Sequence, residues 1–407
     1  MIADAPRPLW AGRTVALLGI ILIALNLRTA VAALSPILPL VAQDIPLGSI
    51  GIGVLGMLPP LAFAASGFVA PLVARRVGLE ATMLLACVAM VAGPVIRAAA
   101  GSYVVLVLGG VIVLAGIGFA NILLPPVIKR YFPDRIGLMT ALYATLMSIS
   151  ASTPPLLAAP LADQLGWRVA SGSWAIFAVV AAVPWLFLLL RRRSSAREAS
   201  GEGAVEPPPP ALLGRMVRSK TAWAIAVVFV VTSFNVYAMI AWLPEIVVAV
   251  AGVTAAEGGA LLALFLVTGL PLALITPVLA VGLQNVGVII VAGVVFFVVG
   301  YGGLLFAPTT ATWLWTLLIG SGAVIFPLCL VLINLRTRTH EASVALSGFV
   351  QGIGYGIGAL GSLTVGAIHD ATGAWTVPIL FLLATTLLAL LPVVVLSKRT
   401  FVEDELA

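Results

Sequence analysis

The chain has 407 residues, of which 62% are hydrophobic and 9% charged, with a formal net charge of +6. A water-soluble domain carries roughly 25% charged residues, so this composition excludes a soluble fold and selects the bilayer as the solvent. The basic excess is no nucleic-acid signature either, because the Lys and Arg residues sit between apolar runs, where they set membrane topology.

A spanning helix needs about 20 apolar residues, and in lipid its backbone polar groups must be satisfied internally. The apolar runs therefore predict twelve helices, spans 1 to 12, at 14–41, 50–74, 80–98, 103–128, 136–161, 169–190, 220–248, 258–281, 285–306, 311–335, 341–367 and 374–396. Span 1 is too long for a cleaved signal peptide, and Asn26 and Arg28 interrupt its centre. With the N-terminus in the cytoplasm, all 21 Lys and Arg residues except Arg28, Arg97 and Arg168 fall on the cytoplasmic side. That bias predicts a multi-pass inner-membrane protein with both termini cytoplasmic, with Arg97 and Arg168 outside and Arg28 within the membrane.

Residues 192–219 are rich in Pro, Gly, Ser and charge and read as a cytoplasmic linker. They separate a six-helix bundle at 1–191 from another at 220–407. The halves also resemble each other. Leu38-Pro39 recurs as Leu243-Pro244 at an offset of 205, and Pro71 recurs as Pro277 at 206. The exits of spans 5 and 11, Asp163 to Trp167 and Asp370 to Trp375, are offset by 207 to 208. Three matches in order suggest a duplicated unit. Parallel repeats about an axis normal to the membrane place a substrate between the halves, near the midplane.

Arg28 is the sharpest chemical signal. It lies fourteen residues into span 1, or about 21 Å along the helix axis. A charge at that depth costs at least roughly 2.5–3.5 kcal/mol, and no acidic residue lies at comparable depth in any span. A guanidinium fork suits a carboxylate, nitrate or similar flat acceptor. Two readings stay open: Arg28 as a substrate ligand, or Arg28 bonding helix carbonyls and side-chain amides to hold the core.

Asn26, two residues earlier and roughly 200° around the helix, reads as an interhelical hydrogen-bonder. Asn121, deep in span 4, fits either role. In span 7, Asn235 and Tyr237 need polar partners, so they face a cavity or another helix. Trp242 lies nearer the outer interface, where aromatic anchors are common. In span 11, Gln351 and Tyr355 are four apart and share one face, in a helix whose glycines permit close packing. Tyr143 and Ser148 of span 5 stand at pseudo-equivalent places. Together, Arg28, Asn121, Tyr143, Asn235, Tyr237, Gln351 and Tyr355 are the candidate substrate ligands. Cys87 and Cys329 read as small core residues. No metal spacing, phosphate-binding loop or buried acid pair is present, so the expectation is neither an enzyme nor a cofactor protein.

Four segments carry a family resemblance: ALNLRTAVAALSPILPLVAQDI at 24–45, NILLPPVIKRYFPDRIGLMTALYATLMS at 121–148, AWLPEIVVAVAGVTAAEGGALLALF at 241–265 and LSGFVQGIGYGIGALGSLTVGAIHDATGAW at 346–375. The chain resembles the major facilitator superfamily and, within it, the cyanate and 2-nitroimidazole porter branch. The resemblance implies an all-α membrane protein with the major facilitator fold, two pseudo-symmetric six-helix bundles. It also implies a secondary transporter working by alternating access. Arg28 matches the arginine of the branch's first-span motif. The superfamily's gating loop between spans 2 and 3 keeps its basic and glycine features as Arg75, Arg76 and Gly78, but Ala74 stands near the position of its usual acid.

The leading expectation is a transporter of a small anion or small polar planar compound, cyanate-like or nitroimidazole-like. The alternative is a broad-specificity drug or metabolite exporter, to be told apart by whether transport needs Arg28. The expected partners are a small-molecule substrate and the lipid bilayer, with no nucleic acid, and the protein is expected to be a monomer. A co-transported proton travelling with the substrate stands open beside uniport and anion exchange.

Overall fold

The computed structural model describes residues 13–132, 134–195, 215–283 and 285–406. Most of the linker expected at 192–219 lies outside the described residues. Among those residues the secondary structure is helical, without a strand.

The twelve expected spans are all present. Span 1 is built from Thr14–Ala24, Thr29–Ala32, a 3-10 turn at Ser35–Ile37 and Leu38–Asp44. Spans 2 to 5 are Ser49–Val77, Leu79–Ala98, Tyr103–Tyr131 and Ile136–Leu165. Span 6 joins Trp167–Gly172 to Trp174–Ser195, and span 7 is Lys220–Ala251. Span 8 joins Ala255–Val267 to Gly269–Gly282, span 9 is Gly287–Phe306, and span 10 joins Thr312–Gly322 to Ile325–Leu335. Span 11 joins His340–Gly358 to Leu360–Thr372, and span 12 runs from Thr376–Leu387 to Val393–Leu396. Among the described residues, ten helices are long and apolar enough to cross a membrane by length and composition.

Span 1 departs from the expected continuous helix, and its own side chains explain why. Asn26 Nδ2 donates to Leu22 O at 2.8 Å and to Phe177 O of span 6 at 3.3 Å. Thr29 Oγ1 donates to Asn26 O at 3.0 Å. The Arg28 amide donates to Ser150 Oγ of span 5 at 2.9 Å, with Arg28 at φ −127° and ψ −5°. Polar side chains thus take over bonds that the helix would otherwise make to itself. Asn26 holds the interhelical role expected of it.

The duplication is visible in the backbone. Gly166 and Gly373 close spans 5 and 11 at φ 84° and 65°, in the left-handed region where a side chain is strained. Their offset of 207 repeats the spacing seen in the sequence. The packing is divided in the same way. One apolar core is formed wholly by the first half, around Ile20, Met83, Ile117 and Trp185. The other fills the second half, around Phe229, Phe297, Leu328 and Leu346, and takes in Leu38, Val41, Ile52 and Trp167 of the first. Large apolar side chains such as Phe68, Ile176, Val278 and Phe306 stay exposed around the outside, the surface that lipid requires.

Those shared residues lie at one end of the bundle, the end opposite the described chain termini, called the distal face below. There spans 2 and 11 pack together, as do spans 5 and 8. Ser35 Oγ donates to Ala241 O at 2.7 Å, and Ser362 Oγ to Gly53 O at 3.0 Å. Glycine is required at this seam. A methyl group added at Gly53 would meet Leu363 Cα at 2.7 Å, and one at Gly56 would meet the Ala241 and Ser362 side chains at 2.7 Å. Trp242 is also here and corrects an expectation. It is fully buried and donates from Nε1 to Ser362 O at 2.8 Å, so it seals the seam instead of anchoring an interface. Arg97, expected outside, is 5% exposed. Span 3 ends one residue later, but spans 1, 4 and 6 enclose its side chain.

At the opposite, terminal face a short helix, Val402–Leu406, is clamped to the second half. Glu405 accepts from Ser219 Oγ at 2.6 Å and from Thr221 Oγ1 at 2.8 Å. Arg338 is paired with Asp404, and its amide donates to Glu403 at 2.7 Å.

Candidate functional site

The break in span 1 puts Arg28 where its side chain meets both halves. Its guanidinium lies over the Phe63 ring of span 2, 5.2 Å from the centroid. It also faces Tyr237 of span 7 and Tyr355 of span 11, close enough to interact electrostatically with both. The two tyrosine rings are 6.3 Å apart at 69°, and Tyr355 meets Phe229 edge-on at 5.1 Å. Phe229 is fully buried and Tyr237 is 6% exposed. Arg28 has no carboxylate partner among the described residues.

The cluster therefore combines one permanent cation, two phenol hydroxyls and aromatic faces. A guanidinium backed by an aromatic face keeps its charge while losing water. What it lacks is an acceptor of full negative charge. That chemistry is complementary to a small anion or an electron-rich planar group, and among the described residues the cluster has no carboxylate.

The other expected residues divide. Asn235 is set apart from the cluster, two residues and most of a half-turn from Tyr237. Its Nδ2 donates to Val231 O at 2.9 Å and Thr385 Oγ1 at 3.1 Å, and its Oδ1 accepts from Tyr301 Oη at 2.9 Å. It is fully buried, with its hydrogen-bonding capacity committed to spans 9 and 12. Gln351 donates to Ser347 Oγ at 2.6 Å, one turn back on its own helix, and keeps its carbonyl oxygen for another partner. Asn121 is half-buried, without a side-chain hydrogen bond among the described residues, on a helix that packs against the Thr14–Ala24 and Thr29–Ala32 pieces of span 1. Tyr143 is partly buried against the core of the first half.

At the terminal face, Gly78 joins spans 2 and 3 at φ 92°, a conformation that explains the glycine. Arg75 and Arg76 are exposed and unpaired among the described residues. Ala74 leaves that side of the turn without an acid, and Glu80 lies just beyond Gly78 on the other side. Glu80, 1% exposed, accepts from the Tyr131 hydroxyl at 2.8 Å and pairs with Arg130 at 3.3 Å.

Sequence reasoning missed Phe63, Phe229 and Ser150, and it did not foresee the burial of Arg97. A phenylalanine in an apolar run carries no mark of facing a cation, so Phe63 and Phe229 had no signal. Arg97 had none either: four residues before Gly101, its side chain can turn toward the loop or inward.

The chain matches the family model of the Major Facilitator Superfamily over residues 17–359. It is 34% identical over 378 residues to the 2-nitroimidazole transporter of Escherichia coli (strain K12), covering 90% of this chain and 91% of that one. It is 33% identical to an uncharacterized transporter of Bacillus subtilis (strain 168), over 90% and 89% of the two chains. It is 27% identical to a cyanate transport protein of Escherichia coli (strain K12), over 88% and 90%. Among solved structures, a bacterial homolog of the human lysosomal transporter Spinster, in an inward-facing and unoccupied conformation, aligns with a TM-score of 0.76 at 14% identity, over 98% of this chain and 99% of that one.

Proposed function

This chain belongs to the Major Facilitator Superfamily of membrane transporters, and on that premise we propose that its cargo is a small anion or small electron-rich planar compound held by Arg28. The observation that carries this reading is the meeting of Arg28 with Tyr237 across the two halves. One cation set against Phe63 of one half and Tyr237 of the other is placed to sense whether the halves are together. A cargo that binds there replaces internal contacts of Arg28 and so alters the balance between arrangements of the halves.

The relatives named for 2-nitroimidazole and for cyanate share one chemical feature, a compact planar or linear group rich in electron density. A guanidinium fork flanked by Phe63, Tyr237 and Tyr355 accommodates both. With the termini in the cytoplasm, as the Lys and Arg distribution indicates, the sealed distal face is the outer one. Transport then needs the seam at Gly53, Gly56 and Ser362 to part.

The test is uptake and counterflow in proteoliposomes with labelled cyanate, nitrate, short carboxylates and 2-nitroimidazole. Wild type, Arg28→Ala and Arg28→Lys are compared. A cargo carried by wild type and lost in both variants identifies Arg28 as its forked ligand. Wild-type rates in a folded Arg28→Ala protein overturn the reading and favour the broad-specificity exporter.

A further inference from the structure

Arg97 is a buried cation, and its surroundings differ from those of the half-buried Arg28. It is 5% exposed and has no carboxylate partner among the described residues. One terminal nitrogen donates to Ala30 O at 3.3 Å, while Nε has no partner. Trp174, at the start of the longer piece of span 6, is 7% exposed, and its indole Nε1 is also unpartnered. Ser171, equally buried, makes no side-chain hydrogen bond among the described residues.

These three side chains line one small cavity of about 10 Å³, otherwise walled by apolar residues of spans 1 and 3. Arg97 also lines a neighbouring cavity of about 30 Å³ that reaches Ile240 and Ala241 of the second half. A space of this order admits one or two particles the size of water. The chemistry is one-sided: a guanidinium N–H, an indole N–H and a hydroxyl, with a full positive charge and no acid. A buried cation without a counter-charge is unfavourable, and hydrogen bonds from a charged donor to an anion are the strong kind.

We propose that Arg97, Trp174 and Ser171 bind a small monovalent anion of halide size within the first half, at a site separate from Arg28. The anion neutralises Arg97 while the distal face is shut. Polyatomic anions such as sulfate are too large for the cavity. The site does not depend on what Arg28 carries.

The test is the thermal unfolding midpoint of the purified full chain in detergent, titrated with sodium bromide against sodium gluconate at constant ionic strength. Binding to the folded state alone gives a saturable rise in midpoint with bromide and none with gluconate. Trp174→Phe, which removes only the indole donor, raises the half-saturating bromide concentration tenfold or more. Arg97→Gln abolishes the response, and Arg28→Gln leaves it intact. If Arg97→Gln does not fold, Trp174→Phe carries the test. Equal midpoints in bromide and gluconate for wild type overturn the proposal. So does a bromide response undiminished in Trp174→Phe, or one lost in Arg28→Gln, which places the halide at the central cluster.

Discussion

The Arg28 guanidinium, on the first half, faces the Tyr237 hydroxyl, on the second. The contact brings the half-buried cation to the seam, and it gives Tyr237 a role that Phe cannot fill. A phenol hydrogen bond to a charged group contributes about 1.5–3 kcal/mol. Tyr237→Phe is therefore expected to change the KM for cargo by about tenfold or more with little loss of folded protein. Uptake kinetics beside a melting curve check both parts, and unchanged kinetics would remove Tyr237 from the site.

Asn235 should behave in the opposite way. Its amide holds Thr385 and Tyr301 inside the second half. Asn235→Leu strands the buried Tyr301 hydroxyl, a penalty of about 1–3 kcal/mol. Lower thermal stability with an unchanged KM in the surviving fraction is expected. A KM shift without destabilisation would return Asn235 to the cargo site.

Those two residues show how far the sequence could be read. Twelve spans, two repeats and an arginine midway along span 1 are properties of composition and spacing, and all were legible. Which face of span 7 meets the seam was not. Asn235 and Tyr237 are both polar residues in one apolar run, and only the neighbours contributed by spans 9, 11 and 12 separate them. Arg97 was illegible for a related reason. Its distance from the loop is the same whether its side chain turns toward water or inward, and the enclosure comes from spans 1 and 6, remote in sequence. The position of Arg28 was readable from depth, but the break in span 1 depends on Ser150, more than a hundred residues away.

The Gly53 contact predicts a conformational effect. A methyl group there meets the Leu363 backbone at 2.7 Å, and overpacking of this kind costs about 1–3 kcal/mol. Gly53→Ala should shift the population away from the sealed distal face by roughly five- to 150-fold. Thiol labelling of a cysteine placed at Ser362 reports it: faster labelling in the Gly53→Ala background is expected, and equal rates would contradict the close approach.

At the distal face Asp44 accepts from Trp167 Nε1 at 2.8 Å and is paired with Arg168. The Trp167 bond, and after it the Arg168 bond, hold the Asp44 carboxyl below its ordinary value of 3.8. A lowered folded pKa stabilises above the unfolded value and is lost as pH falls through the folded one. Melting curves from about pH 5 down to about pH 3 should therefore steepen for wild type and flatten for Asp44→Asn. Identical acid limbs would show that this contact adds nothing.

The clamp of Val402–Leu406 onto Ser219, Thr221 and Arg338 has a mechanical consequence. It fastens the start of span 7 to the turn between spans 10 and 11, so neither can swing alone. The terminal face of the second half is stiffened like a handle. A force applied there turns the whole half about the distal contacts of Gly53 and Gly56, and the lever arm makes a small tilt at that fulcrum a large displacement at the handle. A fusion partner joined after Glu405 pulls on the handle directly, and its linker length becomes a variable in any transport assay.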